Sequence, residues 1–133
     1  MVKNFLIGAC ILLFASCNKD NQDKIFGKWQ MQKVEANGVT EAVDTIYYNF
    51  EHGLFMYQIY SPARDTFMFN YGFSVFEKEN KVLLELTDKP GDLDNFIHYT
   101  DWASVKRQFT IDKLSVKELI LSSEDKSYTF RKF

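Results

Sequence analysis

Between Phe67 and Val75 every second residue is large and apolar: Phe67, Phe69, Tyr71, Phe73 and Val75 occupy one set of positions, and Thr66, Met68, Asn70, Gly72 and Ser74 the other. Side chains alternate across a strand but recur every 3.6 positions on a helix, so this run reads as a long strand with one buried face. The aromatic set is expected to be that face. The same period of two recurs at Ile46, Tyr48 and Phe50, at Phe55, Tyr57 and Ile59, and at Val82, Leu84 and Leu86. It returns in Val105 to Ile111, Val116 to Leu121 and Tyr128 to Phe133. With a first segment at Phe26 to Met31, the chain carries eight strands.

The links between them are short and rich in turn formers: Glu51-His52-Gly53, Ser61-Pro62-Ala63-Arg64, Lys78-Glu79-Asn80, Asp112-Lys113 and Ser123-Glu124-Asp125. Short links make consecutive strands antiparallel neighbours, and eight in succession predict an all-β, eight-stranded antiparallel up-and-down β-barrel. A β-sandwich produces much of the same pattern and is the alternative. At 133 residues and 46% apolar composition the chain supports one core, expected over residues 25–133.

The first strand carries Gly27 and Trp29, two residues apart and so on one face. Glycine lets another part of the chain approach closely, and the indole can plug one end of an enclosed sheet. This Gly-x-Trp resembles that of lipocalins and the small bacterial lipocalin-like domains, over residues 24 to 133. The resemblance implies a calycin-like barrel in which Arg131 of the last strand lies across Trp29, so that Gly27, Trp29 and Arg131 close one end. The Thr-Asp-Tyr signature of lipocalin middle strands is missing from the sequence, which places it with the simplified bacterial versions.

Ahead of the barrel, Met1-Val2-Lys3-Asn4 is a basic start and Phe5 to Ala15 an uncharged apolar run, too short to span a bilayer and of signal-peptide length. Leu13-Phe14-Ala15-Ser16-Cys17 resembles a bacterial lipobox, with Phe14 where an aliphatic residue is usual. Residues 1–16 are therefore expected to leave as signal peptide, Cys17 to carry a diacylglycerol that anchors the chain in a lipid bilayer, and residues 17–24 to form a polar tether. The mature chain then has 117 residues and a net charge of −3, since Lys3 is the one charged residue removed. Cys10 leaves as well, so no disulfide, cysteine zinc site or cysteine nucleophile survives. The mild acidity argues against nucleic acid as a partner. Asn18 lacks the aspartate that retains lipoproteins in the inner membrane, and Lys19-Asp20 resembles the lysine-plus-acid surface-export signal. Both point to the outer membrane of a Gram-negative bacterium, with exposure on the cell surface as the further expectation.

A long connection from Asp88 to Ser104 holds Leu93, Phe96, Tyr99 and Trp102. It is too aromatic for disorder and is expected to form a short helical turn over one barrel mouth, either plugging the core or acting as a lid on a ligand site. Aromatic residues make up 17% of the sequence, and an eight-stranded barrel is just wide enough to be filled by side chains or to hold one small ligand. A candidate pocket is assigned to Tyr48, Tyr57, Phe69, Tyr71, Phe96, Tyr99 and Trp102.

Catalytic patterns are thin. His52 and His98 have no ligand spacing, and Asp92, Asp94 and Asn95 lack the glycine and downstream glutamate of a calcium loop. The carboxylates of Glu35, Glu41, Asp65, Glu85 and Asp101 read mainly as solvated strand and loop positions, with Glu85 and Asp101 ambiguous. No Gly-x-Ser-x-Gly or phosphate-binding glycine loop is present. The sequence therefore predicts no enzyme, no cofactor and no metal site. It predicts a module binding a small apolar or amphipathic ligand near the outer membrane, or alternatively an accessory lipoprotein meeting another envelope protein through Tyr47, Tyr60, Phe76 or Trp102.

Overall fold

The computed structural model describes residues 23–78, 80–87 and 90–133. The signal peptide expected at 1–16, the lipid-attachment residue Cys17 and most of the tether lie outside the described residues. Nine strands follow one another: β1 (Gly27–Ala36), β2 (Val39–Ala42), β3 (Ile46–Glu51), β4 (Leu54–Ser61), β5 (Thr66–Glu77), β6 (Lys81–Leu86), β7 (Lys106–Leu114), β8 (Glu118–Ser123) and β9 (Lys126–Lys132). Among the described residues a helix, α1 (Pro90–Ile97), stands between β6 and β7, and residues 23–25 form a short helical stretch ahead of β1.

All neighbours are antiparallel in the order β2-β1-β3-β4-β5-β6-β7-β8-β9, and β1 also pairs β9 from Trp29 opposite Lys132 to Ala36 opposite Lys126. That last ladder closes an eight-stranded up-and-down barrel of β1 and β3 to β9, which excludes the sandwich. The extra strand comes from the connection after β1. Asn37 and Gly38 both adopt positive φ (53° and 76°), the backbone of a two-residue hairpin turn, so the chain folds back on the second half of β1 as β2.

The interior is lined by Trp29, Met31, Tyr48, Phe50, Phe55, Tyr57, Val82, Leu84, Leu86, Phe109, Ile111, Leu119, Leu121, Tyr128 and Phe130. Each of the eight barrel strands contributes its alternate residues, while β2 is exposed throughout, and β5 contributes the opposite set from the one its composition suggests. Phe67, Phe69, Tyr71, Phe73 and Val75 face outward and are 41 to 53% exposed, whereas Asn70, Gly72 and Ser74 are buried and Met68 and Phe76 partly so. The cause is tertiary. Phe96 of α1 and Trp102 after it reach into the barrel, where Trp102 stacks on Phe55 at 6.1 Å and Phe96 meets Tyr57 edge-on at 5.5 Å. Their bulk fills volume that large β5 side chains would need, so the inner positions of β5 are small.

Gly72 shows how close the packing is. A Cβ there would overlap the Glu85 carbonyl oxygen and come within 2.5 Å of the Glu85 carbonyl carbon and 2.7 Å of Leu86 Cα, so β5 and β6 approach here only because residue 72 is glycine.

Closure at the tether end also differs from expectation. Directly opposed residues of an antiparallel pair share a face, and Trp29 is opposite Lys132 while Gln30 is opposite Arg131. Lys132 therefore turns toward the indole, its ammonium 4.6 Å from the ring centre and hydrogen-bonded to Phe26 O. Arg131 points outward and donates from Nε to Gln30 Oε1 at 3.3 Å. The cation over the tryptophan is a lysine, one residue beyond the arginine. Gly27, at φ 120°, lies directly under that lysine; a Cβ would stand 2.5 Å from Lys132 Nζ.

Candidate functional site

The helix α1 opens with proline at its first position, where no intrahelical N–H is lost, and carries Leu93, Phe96 and Ile97 at i, i+3 and i+4. Leu93 and Phe96 are buried against the barrel. The helix ends in a tight turn in which Thr100 Oγ1 donates to Ile97 O (2.9 Å) and accepts from Trp102 N (3.0 Å), which aims Trp102 into the barrel. Its Nε1 donates to Tyr48 OH at 3.2 Å.

Tyr48, Tyr57 and Trp102, assigned from sequence to a pocket, are core residues. Their rings lie 4.9 to 5.7 Å apart with Phe55, Phe109 and Phe130 around them, and the barrel centre is filled. Burial pushes the Tyr48 and Tyr57 phenols well above their ordinary pKa, reinforced for Tyr48 by Tyr57 and for both by Asp101. They are neutral at physiological pH and act as fixed dipoles, not as acids or bases.

Phe69, Phe96 and Tyr99 come together elsewhere, in a cleft of about 320 Å³ between α1 and the start of β5, with Met68, Asn70, Asp92 and Asn95 completing its wall. Phe96 forms the floor, with Tyr57 behind it; Phe69 and Tyr99 are exposed at the lip. Tyr71 lies apart, on the outer wall beside Leu54 and Met56. Asn70, which the sequence placed on the solvent face, is 3% exposed, and its Oδ1 has no hydrogen-bond partner among the described residues. A buried unpaired amide oxygen costs on the order of 1–3 kcal/mol, and this one belongs to a residue of the cleft wall. The sequence signal for it was present: Asn70 stands among small residues in phase with Gly72 and Ser74.

A second polar cluster stands behind the mouth. Arg107, its side chain 2% exposed, donates from Nη1 to Asp101 Oδ1 (3.0 Å), from Nη2 to Tyr128 OH (2.7 Å) and from Nε to Ser123 Oγ (3.2 Å), with Glu124 at 3.3 Å. The Tyr128 hydroxyl donates to Asp101 Oδ2, and Lys126 Nζ is 3.4 Å from the same oxygen. Burial, and then Asp101, raise the Tyr128 phenol's pKa. Every donor here has its acceptor, so the cluster locks α1 and its loop to β7 and β9. Arg107 is a charged residue in phase with Phe109 and Ile111, a mark of an inward-facing ion that the sequence reading passed over.

The remaining sequence candidates are dispersed. His52 lies against Phe26 at the tether end, and His98 is exposed beyond α1. Glu85 pairs with Lys106 at 3.2 Å. Among the described residues no three His, Cys, Asp or Glu side chains gather as metal ligands. Tyr47 and Trp102, offered as parts of an exposed patch, are buried, and Phe76 and Tyr60 are half-buried. A larger, open groove of about 740 Å³ between the β1–β2 and β8–β9 turns is lined by those turns and by polar strand-end residues such as Glu35, Thr110, Ser122 and Ser127.

Residues 12–133 match the sequence family described as a lipocalin-like domain. The chain belongs to this family. A lipocalin-like protein from Bacteroides uniformis ATCC 8492 shares 26% identity and superposes with a TM-score of 0.74, over 83% of this chain and 99% of that one. An uncharacterized protein from Bacteroides eggerthii DSM 20697, at 24% identity and TM-score 0.71 over 82% and 99% of the two chains, has the same fold. No curated protein matches the chain. Within this lipocalin-like barrel the centre is packed with its own aromatic rings, and the α1–β5 cleft stands to one side of them.

Proposed function

We propose that the protein is a non-catalytic outer-membrane lipoprotein, anchored through a diacylglycerol on Cys17, whose lipocalin-like barrel binds a small amphipathic ligand in the cleft between α1 and β5. The observation that carries the binding reading is the unpartnered Asn70 Oδ1 in a cleft otherwise lined by Met68, Phe69, Phe96 and Tyr99. Such a wall suits a molecule with an apolar or aromatic body that offers one O–H or N–H donor to the amide. The cleft of about 320 Å³ sets a size near the lower end of ordinary ligand pockets, so the ligand is small or inserts only its head. The lipobox-like Leu13 to Cys17 carries the anchoring reading.

The test is a titration of residues 23–133 with an environment-sensitive apolar fluorophore, followed by displacement with fatty alcohols, fatty acids, retinoids and sterols. Saturable binding that Asn70→Leu abolishes supports the reading. Absence of saturable binding by a cooperatively folded domain sinks it.

A further inference from the structure

The outer wall of the barrel is divided into two unlike sides. Around β7 to β9 the outward positions are mostly polar, among them Lys106, Gln108, Thr110, Glu118, Thr129 and Arg131, with Ile120 the apolar one on β8. Around β4 and β5 they are apolar from Phe67 to Val75, with Gln58 on β4 and Glu77 at the end of β5 as the polar positions. Leu54 stands opposite Phe73, Met56 opposite Tyr71, Gln58 opposite Phe69 and Tyr60 opposite Phe67, and on the other side Leu83 is opposite Val75 and Glu85, paired with Lys106, opposite Phe73. No charged residue interrupts Phe67 to Val75, and Leu54 and the five β5 residues are each 41 to 53% exposed. Monomers rarely leave a contiguous apolar surface of this kind without an occupant.

We propose that this face is a membrane-docking surface: the barrel lies on the lipid bilayer with the β4–β5 stripe set into the headgroup region. The inference rests on the proposed acylation of Cys17. Five residues lie between Cys17 and Asp23, six residue steps with a reach of at most about 22 Å, so the domain is held within its own diameter of the bilayer. At that distance the effective concentration of lipid is high, and a weak apolar face suffices to dock. The start of β1 reaches one end of the stripe. Lys28, five residues after Asp23, places its ammonium 4.6 Å from the Tyr47 ring, 4.9 Å from Phe133 and 5.3 Å from Phe67. A cation ringed by aromatics at the border of an apolar face suits lipid phosphates above and acyl chains below. Phe69 belongs both to the stripe and to the lip of the α1–β5 cleft, so a docked barrel opens its cleft at the lipid surface, where an amphipathic ligand resides.

The experiment uses the lipoprotein purified from cells and reconstituted into vesicles of phosphatidylethanolamine and phosphatidylglycerol. A fluorescent thiol label is placed at Phe73→Cys on the stripe or at Thr129→Cys on the opposite wall. Mass spectrometry first reports whether Cys17 carries its diacylglycerol; without it the anchoring reading fails and the proposal fails with it. With it, a nitroxide carried on the lipid below the headgroup is expected to remove most of the Phe73 emission and leave Thr129 unquenched. In parallel, the unacylated domain with Tyr71→Ser and Phe73→Ser, its fold checked by circular dichroism, is expected to partition onto the same vesicles roughly tenfold more weakly than its parent. Equal quenching at both positions by an acylated protein overturns the proposal. Protection of Phe73 in native envelopes but not in pure lipid overturns it in favour of a protein partner, and protection that grows with protein concentration without lipid overturns it in favour of a second copy.

Discussion

Lys132 stands over Trp29 with its ammonium 4.6 Å from the ring centre, while its neighbour Arg131 faces away to Gln30. The ammonium also caps Phe26 O, which joins the last residues of β9 to the segment that enters β1. Lys132→Ala removes both contacts, and because the site is partly open to water we expect a loss of about 1 kcal/mol in urea unfolding. Arg131→Ala is expected to change stability by less than about 0.5 kcal/mol. A larger effect at Arg131 than at Lys132 contradicts the assignment.

Gly72→Ala is expected to be among the most damaging single-methyl additions in the chain. Its Cβ would meet backbone, the Glu85 carbonyl and Leu86 Cα, and neither can rotate away. Overpacking costs typically about 1–3 kcal/mol and more where the clash is with main chain. A loss below that range in thermal or denaturant unfolding shows that β5 and β6 separate more easily than their pairing implies.

These two sites mark where sequence reading succeeds and where it stops. Eight strands and their antiparallel order were legible because period two and short turns are local signals; the ninth strand, β2, was not, because its four residues are exposed and carry no buried face to betray a period. The direction in which β5 faces was not. Both of its faces alternate cleanly, and the choice between them depends on Phe96 and Trp102, more than twenty residues away, filling the interior first. Likewise the cation over Trp29 depends on strand register: Arg131 and Lys132 are equally plausible by composition, and a shift of one residue decides between them. Of the candidate pocket, Phe69, Phe96 and Tyr99 meet at one cleft, but Asn70 could be seen as inward only once β5 was turned.

Asp101→Asn tests the lock between the α1 loop and the barrel. Arg107 is almost completely buried, and without the carboxylate its charge keeps only Glu124, which lies largely in solvent. Removing one partner of a buried ion pair costs about 3–5 kcal/mol; Asp101 is itself 31% exposed, so we expect roughly 2–3 kcal/mol. Hydrogen exchange should rise in α1 and its loop before the rest of the barrel opens. Uniform destabilisation without local opening would place the cluster's role in the global fold.

Tyr48, Tyr57 and Tyr128 predict an alkaline limit to stability. Burial raises their phenols above the ordinary tyrosine value of about 10, so the native state holds protons that the unfolded chain releases. Their stabilising effect is complete below the unfolded pKa of about 10 and is lost as the pH climbs from there through the raised native values. Unfolding free energy is therefore expected to be insensitive to these groups up to about pH 9 and then to fall by as much as about 1.4 kcal/mol per pH unit for each tyrosine. Tyr57→Phe should make that fall shallower by one proton's worth. An unchanged slope would mean that Tyr57 ionises in the native barrel.

Asn70→Leu separates stability from binding. The amide oxygen has no partner among the described residues, so replacing the side chain by an apolar one of similar size removes a desolvation penalty and fills the same inner position of β5. Stability is expected to stay level or rise by up to about 1–2 kcal/mol, while affinity for a donor-bearing amphiphile falls at least about tenfold through loss of the one buried polar contact. Tyr99→Ala, exposed at the lip, is expected to weaken the same binding with stability unchanged. Urea unfolding alongside probe titration of the two variants checks both halves. If Asn70→Leu is strongly destabilising, the amide is a structural strut, and the reason for keeping it in the cleft wall disappears.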